Sequence, residues 1–477
     1  RPGRGARVDA SEWLRAKPRS RWAGGHRGIW GGNVDEISGM GQVLEQAKQE
    51  RVRFMRLQFT DILGSIKNVE IPEPQFRRAL EGQVVFDGSS ILGFSRERES
   101  DMILLPDPAT FRVFPWEDRR GKVARMICDV RLPDGLPFTG CPRTALKRVV
   151  KSAADSGFQL MVATEVEFFL FQRSADGKAT SVTHDVGGYF DLAPVDRGEE
   201  ARRDMVSTLE RMGFNVEAAH HEVAPGQHEI DFKLADAVEA ADNISTCRFV
   251  VRKIALDHGL HATFMPKPLF GQSGSGLHMF QALFRDGRNA FLDAKAPQGL
   301  SSVGRHYIAG LLEHARGMLV ITNPLVNSYK RLVPGYEAPT HVAWSETNRS
   351  PLIRISSRRG EGTLCEFRLP DPACNPYLAL VAILSSGLEG IRQKMDPGPP
   401  VNKDIFGMSQ REKGRLRVQD LPGDLSEAVR SFEKDRFLQA ALGAHISKSI
   451  VEAKRAEWQE YIGQVHPWEL DRYLSYY

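Results

Sequence analysis

The run Val162-Ala-Thr-Glu165-Val-Glu167-Phe-Phe-Leu-Phe171 constrains this chain more than any other stretch. It reads as a largely buried strand, and in a strand residues two apart share a face. Glu165 and Glu167 therefore project together from an apolar segment. Two carboxylates on a solvated face are the ordinary alternative, but that reading wants lysine or arginine neighbours, and the flanking sequence supplies none. Buried side by side, the two repel unless a cation sits between them.

Three other segments offer partners. His220-His-Glu222-Val-Ala-Pro-Gly-Gln-His-Glu229-Ile-Asp231 turns at Pro225-Gly226, so the flanking strands can bring Glu222 and Glu229 together. Gly274-Ser-Gly-Leu-His278 is a glycine-rich turn delivering one histidine, and Glu366-Phe-Arg368 sets a carboxylate and a guanidinium on one face. Five glutamates and one histidine form a hard, oxygen-dominated set that suits Mg²⁺ or Mn²⁺ rather than zinc. Singly each segment is weak, since a histidine after glycines is commonly a packed or capping residue. The stretch Asn323–Pro339, followed by Asn348–Arg354, holds Lys330, Arg331, Arg349 and Arg354 around a Pro-flanked Glu337. It reads as an anion clamp of arginine forks, or as a solvated basic loop.

Around these segments the chain is ordinary globular protein. Its 477 residues are 41% hydrophobic and 26% charged, which excludes a wholly disordered chain. The longest apolar runs, such as Leu378–Leu384, fall short of the ~18 residues a membrane helix needs. Five cysteines without a CxxC pair fit a reducing compartment and offer no disulfide framework. The net charge of +4 belongs to the N-terminus: residues 1–30 hold eight Arg/Lys against Asp9 and Glu12. The body is slightly acidic, which argues against a nucleic-acid partner. These features predict a cytoplasmic protein with no membrane contact, preceded at 1–33 by a basic extension expected to be disordered.

Pro133-Asp-Gly135 and Thr139-Gly-Cys-Pro142 mark a boundary between a small unit at 34–138 and a large one at 139–477. In the large unit, strand patterns (Leu160–Phe171, His228–Lys233, His261–Met265, Leu277–Phe284, Leu364–Arg368) alternate with helical ones (Glu199–Met212, Ala237–His258, Ser302–Thr322, Pro376–Lys394). The expected class is α+β.

Taken in order, these segments resemble the type I glutamine synthetase family in its short, non-adenylylated subtype, from about Val43 to Tyr477. The motifs are Asp87-Gly-Ser-Ser-Ile91, Glu165-Val-Glu167, the two His/Glu segments ending at Glu222 and Glu229, Gly274–His278, Lys330–Pro339, Asn348-Arg-Ser350 and Arg368-Leu-Pro-Asp-Pro372, running on into Asn375–Ala379. The resemblance implies a β-grasp-like small domain and a catalytic domain with a curved antiparallel sheet ringed by helices. It implies ATP as co-substrate, two or more Mg²⁺ or Mn²⁺ per subunit, glutamate and ammonium as substrates, and a homo-oligomer, a dodecamer of two hexameric rings. Glu167, Glu222 and Glu229 would hold one cation, and Glu165, His278 and Glu366 the other. Arg349 and Arg354 match phosphate-facing arginines, and Glu217 and Phe232 nucleotide contacts. Arg331 and Gly274 match positions at the glutamate, and Arg368 one at its reacting carboxylate. Glu337 matches a flap residue that excludes water and takes a proton from the amine. Asp61 matches an aspartate lent by a neighbouring subunit to bind ammonium. Arg96 falls where an arginine influences feedback inhibition, and Phe406 replaces a modifiable tyrosine.

The chain departs from the family pattern at Ser273, Phe280, Ala282 and Leu364, where polar contacts to glutamate or nucleotide are usual. A γ-glutamyl ligase for an organic amine, or a weakly catalytic structural or regulatory paralogue, are the two other functional readings.

Overall fold

The first strand of the small unit forms because its apolar side chains fall where one face is covered. Met55, Leu57 and Phe59 of β1 (Val52–Thr60) are buried, whereas Arg53 is exposed. The computed structural model describes residues 34–477, with side chains from 39 onward, except 92, 94–100, 117–119, 297–298, 349–350 and 357–359. Arg349, Arg96 and the 1–33 extension thus lie outside the described residues.

Strand β1 pairs antiparallel with β2 (Ile66–Pro72) and parallel with β6 (Lys122–Arg131). β3 (Val84–Asp87) and β4 (Asp101–Pro106) complete the order β2-β1-β6-β4-β3, with β5 (Arg112–Val113) also against β6. The helix Val34–Gln49 and this sheet share a core of Val43, Met55, Leu57, Met102, Leu104, Met126 and Val130. This is the β-grasp arrangement that the resemblance implied.

The hairpin between β1 and β2 turns on Asp61. Its Oδ1 accepts from Ser65 N at 2.9 Å and its carbonyl from Gly64 N at 3.0 Å. Gly64 has φ +89°, and a Cβ there would stand 3.1 Å from the Asn375 Cα. Glycine is needed for both reasons. Asn375 caps the helix Pro376–Gln393 through Oδ1, and its Nδ2 donates to the carbonyls of Asp61 (3.0 Å) and Ile62 (3.2 Å). One side chain thus starts a helix of the large unit and fixes the turn of the small one.

The large sheet runs β15 (Trp344–Ser345), β16 (Ile353–Ile355), β17 (Cys365–Phe367), β12 (Leu277–Arg285), β7 (Gln159–Arg173), β10 (Gln227–Asp236), β9 (Val216–His221). β8 (Ala179–Thr183) and β11 (Leu260–Thr263) also join β7, and β13 (Arg288–Asn289) joins β12. Every pair is antiparallel except β15 with β16. Residues 341–342 and 419–420 form a separate two-stranded ladder, β14 and β18. Alternation along β7 gives the sheet two faces. Leu160, Val162, Val166, Phe168 and Leu170 join the main core with the helices Ala237–Asp257, Ser302–Thr322 and Pro376–Gln393. Glu165 and Glu167 point the other way. Asp236 and Ser301 start two of those helices by accepting main-chain N–H bonds. No helix among the described residues is long and apolar enough to cross a membrane.

The helical patterns expected at 199–212, 237–258, 302–322 and 376–394 form within a residue of those bounds. Strand β11 ends at Thr263, two residues short of the expected Met265, because the chain turns into Pro266.

Candidate active site

Cross-strand register builds the site. In the β7–β10 ladder Glu167 stands opposite Glu229 and Glu165 opposite Asp231. On the other side of β7, His278 of β12 stands opposite Glu165. Glu366 of β17 pairs with Phe280 on one side and Arg354 on the other. Glu222 follows β9 directly, and its N–H donates to Gln227 O at 2.8 Å across the Pro225-Gly226 turn.

Ligating atoms of Glu165, His278 and Glu366 all lie within 4.8 Å of one another, and so do those of His220, Glu222 and Glu229. His278 Nδ1 is 2.9 Å from Glu165 Oε2, while its Nε2 is 3.9 Å from Glu167 Oε1. Glu167 stands between the two sets, accepting from Gln227 Nε2 at 2.8 Å and Gly276 N at 3.0 Å. A Cβ on Gly276 would lie 2.7 Å from Arg331 Nη2, 2.8 Å from His278 Nε2 and 3.2 Å from Glu167 Oε1. The glycine thus leaves open the point where three site residues converge.

The cations lie at one border of this acidic floor. Arg354 and Arg368 both bind the Glu366 carboxylate, Arg368 Nη1 at 2.5 Å from Oε1. Arg331 is buried, donating to the carbonyls of Leu369 (3.1 Å) and Arg368 (3.3 Å). Arg368 Nη2 also donates to the carbonyl of Glu337 at 3.3 Å. Glu337 is exposed, in the left-handed region at φ 56°.

Burial, then the charge of Glu222, pushes the Glu167 carboxyl up to about 8, against the pull of Arg331. Burial likewise raises Glu222, Glu229 and Asp231, and their acidic neighbours add to the effect. His278 is held well below the usual imidazole range by burial and then by Arg368. A neutral imidazole beside clustered carboxylates is a ready ligand set, and a cation among them reverses the strain on every acid. The donor set is mostly oxygen, as Mg²⁺ or Mn²⁺ prefers. The residues present fit such ions.

Other site residues fall elsewhere. Asp61 is buried, and its side chain faces Ser65 N and Lys67 Nζ (3.7 Å), with no contact to the acidic floor among the described residues. Glu217 lies on β9. The side chain of Phe232 packs in the main core, 6.3 Å ring to ring from Phe214. Gly274 is a close approach, where a Cβ would stand 2.3 Å from Pro266 O. Ala282 is fully buried in the core and Leu364 nearly so, whereas Phe280 is half-buried.

Sequence reasoning left several participants without a role. Asp231 lies with Glu165 and Glu229 in a third acidic set, and its Oδ1 is buried without a hydrogen-bond partner. Its spacing of two from Glu229 was the available signal. His220 Nε2 is 3.0 Å from Glu229 Oε1, and Gln227 orients Glu167. Behind these strands Asp185 accepts from Gly226 N at 2.8 Å and contacts His221 Nε2 at 3.2 Å. Arg202 donates to His228 Nδ1 at 2.9 Å and to Asp196 at 2.8 Å. An arginine can only donate, so His228 Nδ1 accepts here and the imidazole proton sits on Nε2.

The family model of the glutamine synthetase catalytic domain matches residues 139–473, and that of its β-grasp domain residues 51–133. Glutamine synthetase of Thermus thermophilus is 56% identical over 440 residues, 91% of this chain and 99% of that one. Its counterpart in Methanosarcina mazei is 53% identical, over 91% of this chain and 97% of its own length. A solved GmaS/ADP complex superimposes with a TM-score of 0.83 at 33% identity, covering 91% of this chain and 99% of that one. Two domain matches, relatives of nearly equal length and an acidic floor built by strand register agree: the chain belongs to the glutamine synthetase family.

Proposed function

We propose that the acidic floor holds two divalent cations, with Glu167, Glu222 and Glu229 at one position and Glu165, His278 and Glu366 at the other. The carrying observation is the convergence of these groups on one sheet face, with Glu167 pushed up to about 8. The chain is an ATP-dependent ligase that joins ammonia to the γ-carboxylate of glutamate, and its family uses ATP and a divalent metal. Bound cations neutralise the triphosphate and the charge that develops in phosphoryl transfer.

The chain's own residues do the rest. Arg331 and the Gly274 segment bind the glutamate backbone groups, and Arg368 orients the γ-carboxylate. A γ-carboxylate oxygen attacks the terminal phosphorus of ATP, and the bond to ADP breaks. Arg349 and Arg354 take up the charge of the moving group. Glu217 and Phe232 contact the nucleotide. Asp61 removes a proton from ammonium, and the nitrogen attacks the acyl carbon as phosphate leaves. Glu337 takes the proton that the new amide nitrogen sheds, and its loop keeps water from the acyl phosphate.

The test is phosphate release with ATP and glutamate, plus either ammonium or a panel of amines. Ammonium-dependent release with equal glutamine formation is expected; release with an organic amine alone would overturn the assignment.

The active form is a ring oligomer, a dodecamer, in which Asp61 serves the acidic floor of the adjoining subunit. Supporting this, Asp61 contacts Ser65, Lys67 and Asn375 rather than that floor. Asp61→Ala and Glu366→Ala, each inactive, should regain partial activity when assembled together. No recovery in verified mixed rings would put Asp61 in its own subunit's chemistry or in none.

A further inference from the structure

Lys267 lies between the Gly271–Gly276 segment and the loop that carries Tyr336 and Glu337. Its main chain is pinned by Asn327, whose Oδ1 accepts from Lys267 N at 2.7 Å and whose Nδ2 donates to Lys267 O at 3.0 Å. The stem passes Gly274, where a Cβ would lie 3.2 Å from Lys267 Cδ. The ammonium donates to the Gln272 carbonyl and sits 3.5 Å from the centroid of the Tyr336 ring. Lys267 is only 9% exposed, and no carboxylate pairs with it among the described residues. A cation withdrawn from water over an aromatic face is in the favourable setting for that contact.

Tyr336 precedes Glu337, and the backbone around it is under tension. Gly335 has φ +92°, and Glu337 is a non-glycine residue at φ 56°. Such a residue persists only where its surroundings hold it. Two cations do so: Arg368 through the Glu337 carbonyl at 3.3 Å, and Lys267 through the Tyr336 face.

We propose that Lys267 is a positioning residue that latches the Glu337 loop to the Gly271–Gly276 segment through the face of Tyr336, so that the acyl phosphate meets ammonia rather than water. The inference rests on the reading of Glu337 given above and deepens it. With the loop held, nitrogen forms the new bond to the acyl carbon, the acyl C–O bond breaks and phosphate leaves. With the loop loose, a water oxygen makes that bond instead. Phosphate again leaves, glutamate is regenerated and a proton goes to solvent. The latch therefore sets the ratio of phosphate released to glutamine formed.

That ratio is the readout, measured on the assembled enzyme with saturating glutamate and ammonium, with glutamate-free ATP hydrolysis subtracted. Wild type, Lys267→Arg and Tyr336→Phe keep a cation over an aromatic face and should stay near one phosphate per glutamine. Lys267→Met and Tyr336→Leu should raise the ratio severalfold. A merely structural role would lower the amount of active enzyme without moving it. If Lys267→Met fails to assemble, Tyr336→Leu decides alone, since that side chain is only half-buried. A ratio of one in the folded variants, at any turnover, overturns the latch. A wild type that makes no glutamine breaks the underlying reading instead.

Discussion

Two clusters of buried charge stand in this molecule and are built on opposite principles. At the junction of the two units, Arg143 is 4% exposed and every branch of its guanidinium is engaged. It meets Asp242 through Nε (2.9 Å) and Nη2 (2.8 Å), Asp107 through Nη2 (2.9 Å) and Asp129 through Nη1 (3.1 Å). Lys147 adds 2.6 Å to Asp129, and the Tyr377 hydroxyl 2.8 Å to Asp242. That cluster is closed. On the sheet face, the arginines nearest Glu165, Glu167, Glu222, Glu229, Asp231 and Glu366 among the described residues, Arg331, Arg354 and Arg368, stand at one border. Burial raises Glu167, Glu222, Glu229 and Asp231 together, whereas Arg143 and Lys147 pull Asp107 down in spite of burial. Buried acids that the fold pairs hold the fold together. Those it packs chiefly against one another form a donor set that suits a cation.

The sharpest break of this comparison is removal of one acid from the open cluster. Glu167→Ala should lower turnover by three orders of magnitude or more and weaken Mn²⁺ binding in a calorimetric titration. Above about pH 8, where Glu167 is ionised, the metal-free protein should not lose stability, because a repelling charge has gone. Unchanged metal affinity would remove Glu167 from the site. The matching change in the closed cluster is Arg143→Met, which leaves Asp242 with the Tyr377 hydroxyl and Asp107 and Asp129 sharing Lys147. It should cost about 3–5 kcal/mol, as breaking a buried pair does. Metal affinity should be retained in whatever fraction folds, by denaturation and titration on the same sample.

The clusters should also respond oppositely to pH. Glu167 is raised from 4.5 to about 8, so the folded chain binds its proton more tightly than the unfolded chain does. That contribution is fully present below 4.5 and is lost as pH climbs through about 8. Asp107 is lowered from its ordinary 3.8, so its contribution is present above that value and lost as pH falls. With chelator present, the melting temperature should decline from pH 5 to pH 8, and saturating Mn²⁺ should remove the decline. A flat profile in chelator would mean that the floor is not strained by its own charge.

How much of this was legible in the sequence follows the range of each interaction. Glu165 and Glu167 declare their shared face by spacing alone, and Pro225-Gly226 declares the turn that joins Glu222 to Glu229. The long helices announced themselves by periodicity, and the structure adds caps such as Asp236 and Ser301. Which carboxylate faces which is a matter of register between strands far apart in the chain. Hence Asp231 opposite Glu165 and Gln227 on Glu167 were not assigned. Gly276 is informative only once Arg331 and His278 are seen to converge on it. Lys267 looked like any lysine, since its partner Tyr336 lies 69 residues on. The short strand β3 was missed because two of its four residues are exposed and none is fully buried, which blurs the apolar pattern.

The smallest expected effect marks where the open cluster ends. His278, Phe280 and Ala282 share one face of β12, on which Phe280 is half-buried and Ala282 is fully buried. There the neighbours are core residues, and Ala282 stands opposite Met161. A hydroxyl at that point is buried without a partner. Ala282→Ser should therefore cost about 1–2 kcal/mol and leave the ATP KM unchanged. Phe280 is half-buried and stands opposite Glu366, within the polar row. Phe280→Asn should be tolerated better, and it is the change of the two that can lower the ATP KM. Melting curves and ATP titrations on the separate variants decide between the positions. If Ala282→Ser tightens ATP at unchanged stability, nucleotide reaches one pair further along β12 and the open cluster is larger than its acids define.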